Sequence, residues 1–396
     1  MPGPLRRRLR RAALLAPLAA LSLTVAACGG SLAEGAGGES SATVKIGLVV
    51  PASGVYEPLG VDMTRGFELY LEQHDGQLGG KEVKVVKADE GEGPDSGVPA
   101  VQKLVTQDRV SALVGIVNSA TALGVKDTVS QSKVPLIVAN AGADDVADGQ
   151  PYVWRTSFTN GAVGEALGAA VAEELGNDSV YLMAADYAAG HESVEGFKQS
   201  FEAAGGKIAG ESFTPFGTTT DWQPFLSKAQ NSGAKAVYVF YAGGEAVNFV
   251  KQYNSFGLHD KIQLYGAGFL TEGGVLAAQG NAAEGVRTSL HYSNLLDTPE
   301  NKEFVEAYTA AYNGEQPTVY SVQAYDAAAV LDKALNDADG TGGEDIAKAL
   351  EGVGEVESPR GAWSFDEDHN PDQPYFLREV ESVDGGFGNA VLNQLN

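Results

Sequence analysis

Cysteine is nearly missing from this chain: there is one in 396 residues, Cys28, so no internal disulfide can form. Histidine is scarce as well, at five. None belongs to a His-Glu-x-x-His pair, and His191-Glu192, lacking a second histidine, reads as the start of an exposed helix. Gly-x-Ser-x-Gly, a P-loop and a complete Gly-x-Gly-x-x-Gly are absent too, which leaves an exported hydrolase as only a remote alternative. Asp366-x-Asp368-x-Asn370-x-Asp372 falls short of a calcium loop, because Pro371 stands at the glycine position and Leu377 at the bidentate glutamate position. No metal, no cofactor and no catalytic residue is expected. Basic residues are in deficit, 27 against 52 acidic ones for a net charge of -25, which argues against nucleic acid as a partner.

Long apolar runs are also lacking except at the start. Arg6, Arg7, Arg8, Arg10 and Arg11 precede an Ala/Leu-rich stretch from Ala12 to Ala27, too short and wrongly flanked for a stable membrane span. A charged segment, a short apolar segment and small residues before a cut describe an export leader, residues 1–27. Val25-Ala26-Ala27-Cys28 resembles the bacterial lipobox, in which the cysteine thiol receives the lipid and becomes the first residue of the mature chain. The expectation is an exported protein, lipidated at Cys28 and anchored to the outer face of the cell membrane. Loss of the five arginines takes the formal charge from -25 to -30. Residues 28–43, rich in Gly, Ser, Ala and Glu, read as a flexible tether.

Beyond the tether, strand and helix patterns alternate. Val44 to Val50, Glu82 to Ala88, Ser111 to Val117 and Pro135 to Ala139 read as strands, separated by helical spacing over Val61 to Gln73, Ser96 to Thr106 and Ala120 to Gln131. The alternation restarts after Tyr152-Val153-Trp154-Arg155-Thr156 and runs to strands at Ala236 to Tyr241, Ile262 to Tyr265 and Val286 to His291. Helices over Pro299 to Tyr312 and Val322 to Asp337, then late strands near Ala362 to Phe365 and Tyr375 to Val380, complete the pattern. Continuous apolar strands between helices indicate parallel sheets covered on both faces, here in two similar halves. Open sheets of this kind bind ligands at the carboxyl ends of their strands. The loops at Ala52 to Tyr56, Asn118 to Thr121, Asn140 to Ala143, Asp186 to Gly190, Tyr241 to Gly244 and Gly266 to Phe269 are therefore the candidate site.

Ile46-Gly47-Leu48 with Ser53-Gly54, Ser119 after an apolar strand, Val134-Pro135-Leu136-Ile137, Arg155-Thr156, Asp186-Tyr187 with Gly190, and Ala324-Tyr325-Asp326-Ala327 stand in a specific order. From Val44 to Val380 the chain resembles the type I periplasmic binding proteins of the branched-chain amino acid ABC transport group. The resemblance implies two Rossmann-like lobes with parallel sheets, joined by three hinge crossovers and closing over a ligand. It divides the chain into 44–157 plus 292–358 for one lobe and 158–291 plus 359–396 for the other. It further implies that Ser119 and the loop of Asn140, Ala141 and Gly142 hold a ligand carboxylate, while Tyr187 and an aromatic at Tyr241 to Gly243 come from the second lobe. Amino-acid-binding members add a glutamate for the ligand ammonium. Counted from Ala283-Glu284-Gly285, that position holds Gly268.

A buried ammonium without a carboxylate partner is costly, so Gly268 turns the expected cargo away from standard α-amino acids. Gly268, Phe269, Tyr56, Tyr187 and Tyr241 point to room for a flat or apolar ligand, an aromatic acid above all, with a branched-chain amino acid kept open. Glu272 and Asp186 are the possible substitutes for the missing glutamate. The expected function is that of a monomeric solute receptor handing a small carboxylate-bearing ligand to an ABC permease. A sensor that presents its closed form to a signalling partner is the alternative.

Overall fold

A computed structural model describes residues 43–395; Cys28, the leader and most of the tether lie outside the described residues. The chain enters as β1, Val44–Val50, whose Val and Ile side chains are buried on both faces and whose run stops at Pro51, a residue without an amide donor. Helix α1, Glu57–Gln73, carries Met63, Phe67 and Tyr70 against the sheet. The first half continues with β2 (Gln77–Leu78), β3 (Lys81–Asp89), α2 (Pro94–Lys103), β4 (Ala112–Gly115), α3 (Ser119–Ser132), β5 (Leu136–Val138) and β6 (Val153–Arg155). These six strands make one sheet in the order β2-β3-β1-β4-β5-β6. Successive strands leave β1 in opposite directions, so the order reverses between β1 and β4 and opens a crevice at their carboxyl ends.

The second half repeats the scheme. Its elements are α4 (Asn160–Leu175), β7 (Ser179–Ala185), α5 (Ala188–Ala203), β8 (Lys207–Thr214), α6 (Gln223–Asn231), β9 (Ala236–Phe240), α7 (Gly243–Ser255), β10 (Gln263–Ala267), α8 (Gly274–Gln279) and β11 (Arg287–Leu290). Then come α9 (Pro299–Ala311), α10 (Val319–Asp337), α11 (Gly343–Leu350), β12 (Ser364–Phe365), β13 (Pro371–Asp372), β14 (Tyr375–Val383) and β15 (Gly386–Leu395). The seven-stranded sheet runs β15-β14-β11-β10-β9-β7-β8, with its switch point between β7 and β9. Its far edge departs from the all-parallel expectation, because β14 lies antiparallel to β11 and β15 antiparallel to β14.

The chain passes between the sheets after β6, after β11 and just before β14. The last passage differs from the expected boundary at 358/359. Residues 356–372 stay on the first half: Val356 bridges Trp363, and His369 stacks on Trp154 with centroids 4.5 Å apart. The Asp326 of Ala324-Tyr325-Asp326-Ala327 explains why this segment is held there. Fully buried on α10, it pairs with Arg360 at 2.8 Å and accepts from Ser358 at 3.0 Å. Among the described residues, no helix is long and apolar enough to cross a membrane.

Candidate functional site

On the first half, the crevice is lined by a helix start and two loops. Asn118 caps α3, its Oδ1 accepting from the Thr121 amide at 3.1 Å, which leaves the Ser119 and Ala120 amides of the first turn without intrahelical partners. Ser119 Oγ accepts the Ala143 N–H at 3.1 Å, so its own proton is aimed elsewhere, free to donate to an anion. Gly142 is buried, and among the described residues no acceptor meets its N–H. A Cβ here would lie 2.3 Å from the Phe158 ring and 2.5 Å from Asn160 Oδ1, so only glycine fits. Ser119 and Gly142 are thus brought together as two donors beside a helix N-terminus, the arrangement that favours a carboxylate.

The neighbouring residues have structural roles. Ala141 gives its N–H to the Ile116 carbonyl at 3.0 Å. Asn140 donates to Gln323 Oε1 at 3.0 Å, and Gln323 in turn meets His291 at 3.1 Å, a buried chain linking loop, α10 and the second crossover. Burial and the nearby Arg360 and Arg378 hold the His291 pKa well below the ordinary histidine value, so it stays neutral. Asn140 and Ala141 set the loop's position rather than offering groups to the crevice.

The opposite face is aromatic. The Phe158 ring against Gly142 sits 4.6 Å from Phe269, Phe269 is 6.2 Å from Phe240, Phe240 is 6.1 Å from Tyr187, and Tyr187 stacks on Phe216 at 4.3 Å. Tyr187 stands just before the first turn of α5 and is half-buried; Tyr56, from the loop after β1, and Glu245, from α7, lie in electrostatic range of it and of each other. Burial raises both phenol pKa values, so the rings present neutral hydroxyls. Glu245 accepts from the Gly217 amide at 2.9 Å, next to the Phe216 ring.

Two expectations need correction. Tyr241 is only 1 % exposed and belongs to the core: its ring packs on Phe249 at 4.7 Å and its hydroxyl meets Thr214 at 3.2 Å. Its neighbour Phe240, also buried at 3 % exposure, points to the other side of the sheet, where it lies between Tyr187 and Phe269. Gly268 does not open space either, since a side chain there would meet Arg378 Nη2 and Leu290 Cβ, each at 2.6 Å. Glu272 is committed elsewhere, accepting the Val319 amide at 2.9 Å and pairing with Arg378 at 3.0 Å. Asp186 is exposed and pairs with His191 at 2.8 Å. Phe158, Phe216, Phe240 and Glu245 were not singled out from the sequence. A tally of aromatics near strand ends would have flagged the first three.

A cavity of about 1130 Å³ lies on another flank, between α1, residues 272–277 and the β14–β15 turn. Of the residues considered from the sequence only Glu272 lines it, and most of its charges are engaged: Arg65 with Glu315, Asp62 with Thr318, Glu272 with Arg378. The conjunction of two switch points, unmatched donors and rings makes the crevice the better site.

Comparison with known proteins agrees with this architecture. The model of a periplasmic binding protein family matches residues 43–386. The Leu/Ile/Val-binding protein homolog 6 of Brucella melitensis is 35% identical over 87% of this chain and 89% of its own length. An ABC transporter substrate-binding protein from Sphaerobacter thermophilus superposes with a TM-score of 0.84 at 34% identity, covering 89% of this chain and 98% of that one. A solute-binding protein from R. palustris, solved in complex with benzoate, is 37% identical with a TM-score of 0.78, covering 89% of this chain and 96% of that one. The two solved relatives are substrate- or solute-binding proteins of ABC transporters, which supports a binding rather than a catalytic role. The chain belongs to the type I periplasmic binding protein family, the extracytoplasmic substrate-binding proteins that work with ABC permeases.

Proposed function

We propose that this chain is a lipid-anchored receptor of an ABC importer whose cargo is an aromatic carboxylate, held between the Ser119–Gly142 donors and the ring wall. The observation that carries the reading is that wall: Phe158, Phe269, Phe240, Tyr187 and Phe216 run outward from the Gly142 loop. Flat rings are matched by offset or edge contacts with such a surface, at about 0.5–1.5 kcal/mol each beyond burial. Relatives support it: besides the benzoate complex, solute-binding proteins from Rhodopseudomonas palustris strains were solved with 3,4-dihydroxy benzoic acid at 32% identity and p-hydroxybenzoic acid at 31%. A branched-chain amino acid is the second reading, supported by the curated relatives and by a Streptococcus pneumoniae protein solved with isoleucine at 26% identity.

Binding on one lobe, hinge closure and docking of the closed monomer on a permease form the mechanism. Sensing through a signalling partner would use the same closed form. Calorimetry of the mature protein with benzoate, 4-hydroxybenzoate, 3,4-dihydroxybenzoate, leucine and isoleucine tests the cargo. Tight leucine binding with no response to the aromatic acids would sink it. For the anchor, Cys28→Ala should release the protein from the membrane; retention would remove the lipid from the account.

A further inference from the structure

Among the described residues three arginines are fully buried, and they are not alike. Arg360 pairs with Asp326 at 2.8 Å and Arg378 with Glu272 at 3.0 Å. Arg155 has no carboxylate partner among the described residues. Its Nη1 donates to the Phe158 carbonyl at 2.7 Å, its Nη2 to the Ala143 carbonyl at 2.7 Å and more weakly to that of Asp144 at 3.4 Å, and its Nε is unpartnered. Leaving a buried cation with only carbonyl dipoles is expensive, because carbonyls supply partial charge but no counter-ion.

The place of that charge is specific. Ala143, whose carbonyl Arg155 holds, gives its own N–H to Ser119 Oγ. Phe158, whose carbonyl it also holds, packs its ring on Gly142. Arg155 therefore lies directly beneath the two donors of the crevice. Asp144, Asp148 and Glu192 are in electrostatic range, but none pairs directly with the guanidinium: Asp144 accepts the Gly161 amide at 2.9 Å, Asp148 lies 3.5 Å from Asn370 Nδ2, and Glu192 accepts from Asn160 Nδ2 at 2.8 Å.

We propose that Arg155 is a specificity-determining residue whose charge, without a directly paired carboxylate among the described residues, is answered by the ligand carboxylate across Ala143, so that the receptor selects anions over neutral isosteres. This rests on the carboxylate half of the proposed function, not on its aromatic half. Arg155 also orients the loop, so the deciding readout is a ratio that a purely structural role would not move. Calorimetry of the mature protein with benzoate and benzamide should show the anion preferred by about tenfold or more, the scale of a unit charge acting across about 12 Å at an effective dielectric near 20. Arg155→Gln should collapse that ratio toward one, and Arg155→Lys, which keeps the charge, should retain most of it.

An unchanged ratio in Arg155→Gln overturns the proposal. If that variant does not fold, the wild-type ratio decides: benzamide binding as well as benzoate overturns it. If neither aromatic compound binds, the same ratio is read with leucine and leucinamide, so that the aromatic reading fails while the arginine claim is still judged. Binding of neither carboxylate overturns both.

Discussion

The first half of the molecule offers the crevice small residues and backbone donors, whereas the second offers rings. Ser119, Ala120 and Gly142 present little surface; what they supply is fixed dipoles and hydrogen-bond donors whose positions follow from a helix start and a strand end. Phe240, Tyr187 and Phe216 supply area and shape. Under the proposed function, the first face answers a feature shared by every carboxylate, and the second decides which body that carboxylate is attached to. A family of this fold can change cargo by altering one face alone, consistent with relatives solved with benzoates and with isoleucine.

Breaking the polar face should have the largest effect. Gly142→Val places a branched side chain where even a Cβ would be 2.3 Å from Phe158, in a loop that cannot retreat because its carbonyl accepts the Asn160 amide at 2.7 Å. Benzoate affinity should fall by about 100-fold or more, about 3 kcal/mol. Titration by calorimetry checks this, and near-normal binding would show that the loop is not the ligand floor.

The polar face also carries a buried acid beneath it. Glu90 is 0 % exposed and accepts the Val117 and Asn118 amides at 2.7 and 2.9 Å, just before Ser119. Burial pushes its carboxyl up to about 7, against the pull of those amides. Because the folded chain holds this proton more tightly than the unfolded chain, the stabilisation is complete below the ordinary carboxylate range. It is lost as pH rises through about 7. The loss is at most about 3 kcal/mol. Melting temperatures should fall between pH 5 and pH 8, and Glu90→Gln should flatten that fall; an equal slope in the variant would place the titration elsewhere.

Ser119→Ala removes a donor to a charged acceptor and orphans the Ala143 amide, for an expected loss of about 1–3 kcal/mol in binding. The loss should be equal for benzoate and isoleucine if both use this face. A loss confined to one ligand would mean that the two carboxylates sit differently.

The two faces were unequally legible in the sequence. The alternation of strands and helices locates helix starts, and the donors at Ser119 and Gly142, a hydroxyl and a backbone amide, follow once α3 and β5 are placed. Rings on the second sheet depend on parity, since neighbouring residues at a strand end face opposite sides. Counting β9 through Tyr241 gave no way to tell that Tyr241 joins Trp222 and Phe249 in one core while Phe240 joins Phe269 in the other. Gly268 failed for a related reason: the sequence shows a missing side chain, not that Arg378, more than a hundred residues later, occupies its place. The last strand, β15, opens on Gly386-Phe387-Gly388 and pairs only at a sheet edge, so its pattern is weak.

The parity of β9 gives the smallest and sharpest test. Tyr187→Ala removes a half-buried ring stacked on Phe216 and should weaken benzoate by about 1.5 kcal/mol, with a lesser effect on isoleucine, which has no ring to stack. Tyr241→Phe removes only a hydroxyl shared with Thr214 inside the core. It should leave affinity for both ligands unchanged while lowering stability by about 0.5–1.5 kcal/mol. Paired calorimetry and denaturant titrations separate the two, because each variant should move one measurement and spare the other. If Tyr241→Phe instead weakened benzoate as much as Tyr187→Ala, the second face would include the Tyr241 hydroxyl, and the division between ring wall and core drawn at Phe240 would have to shift by one residue.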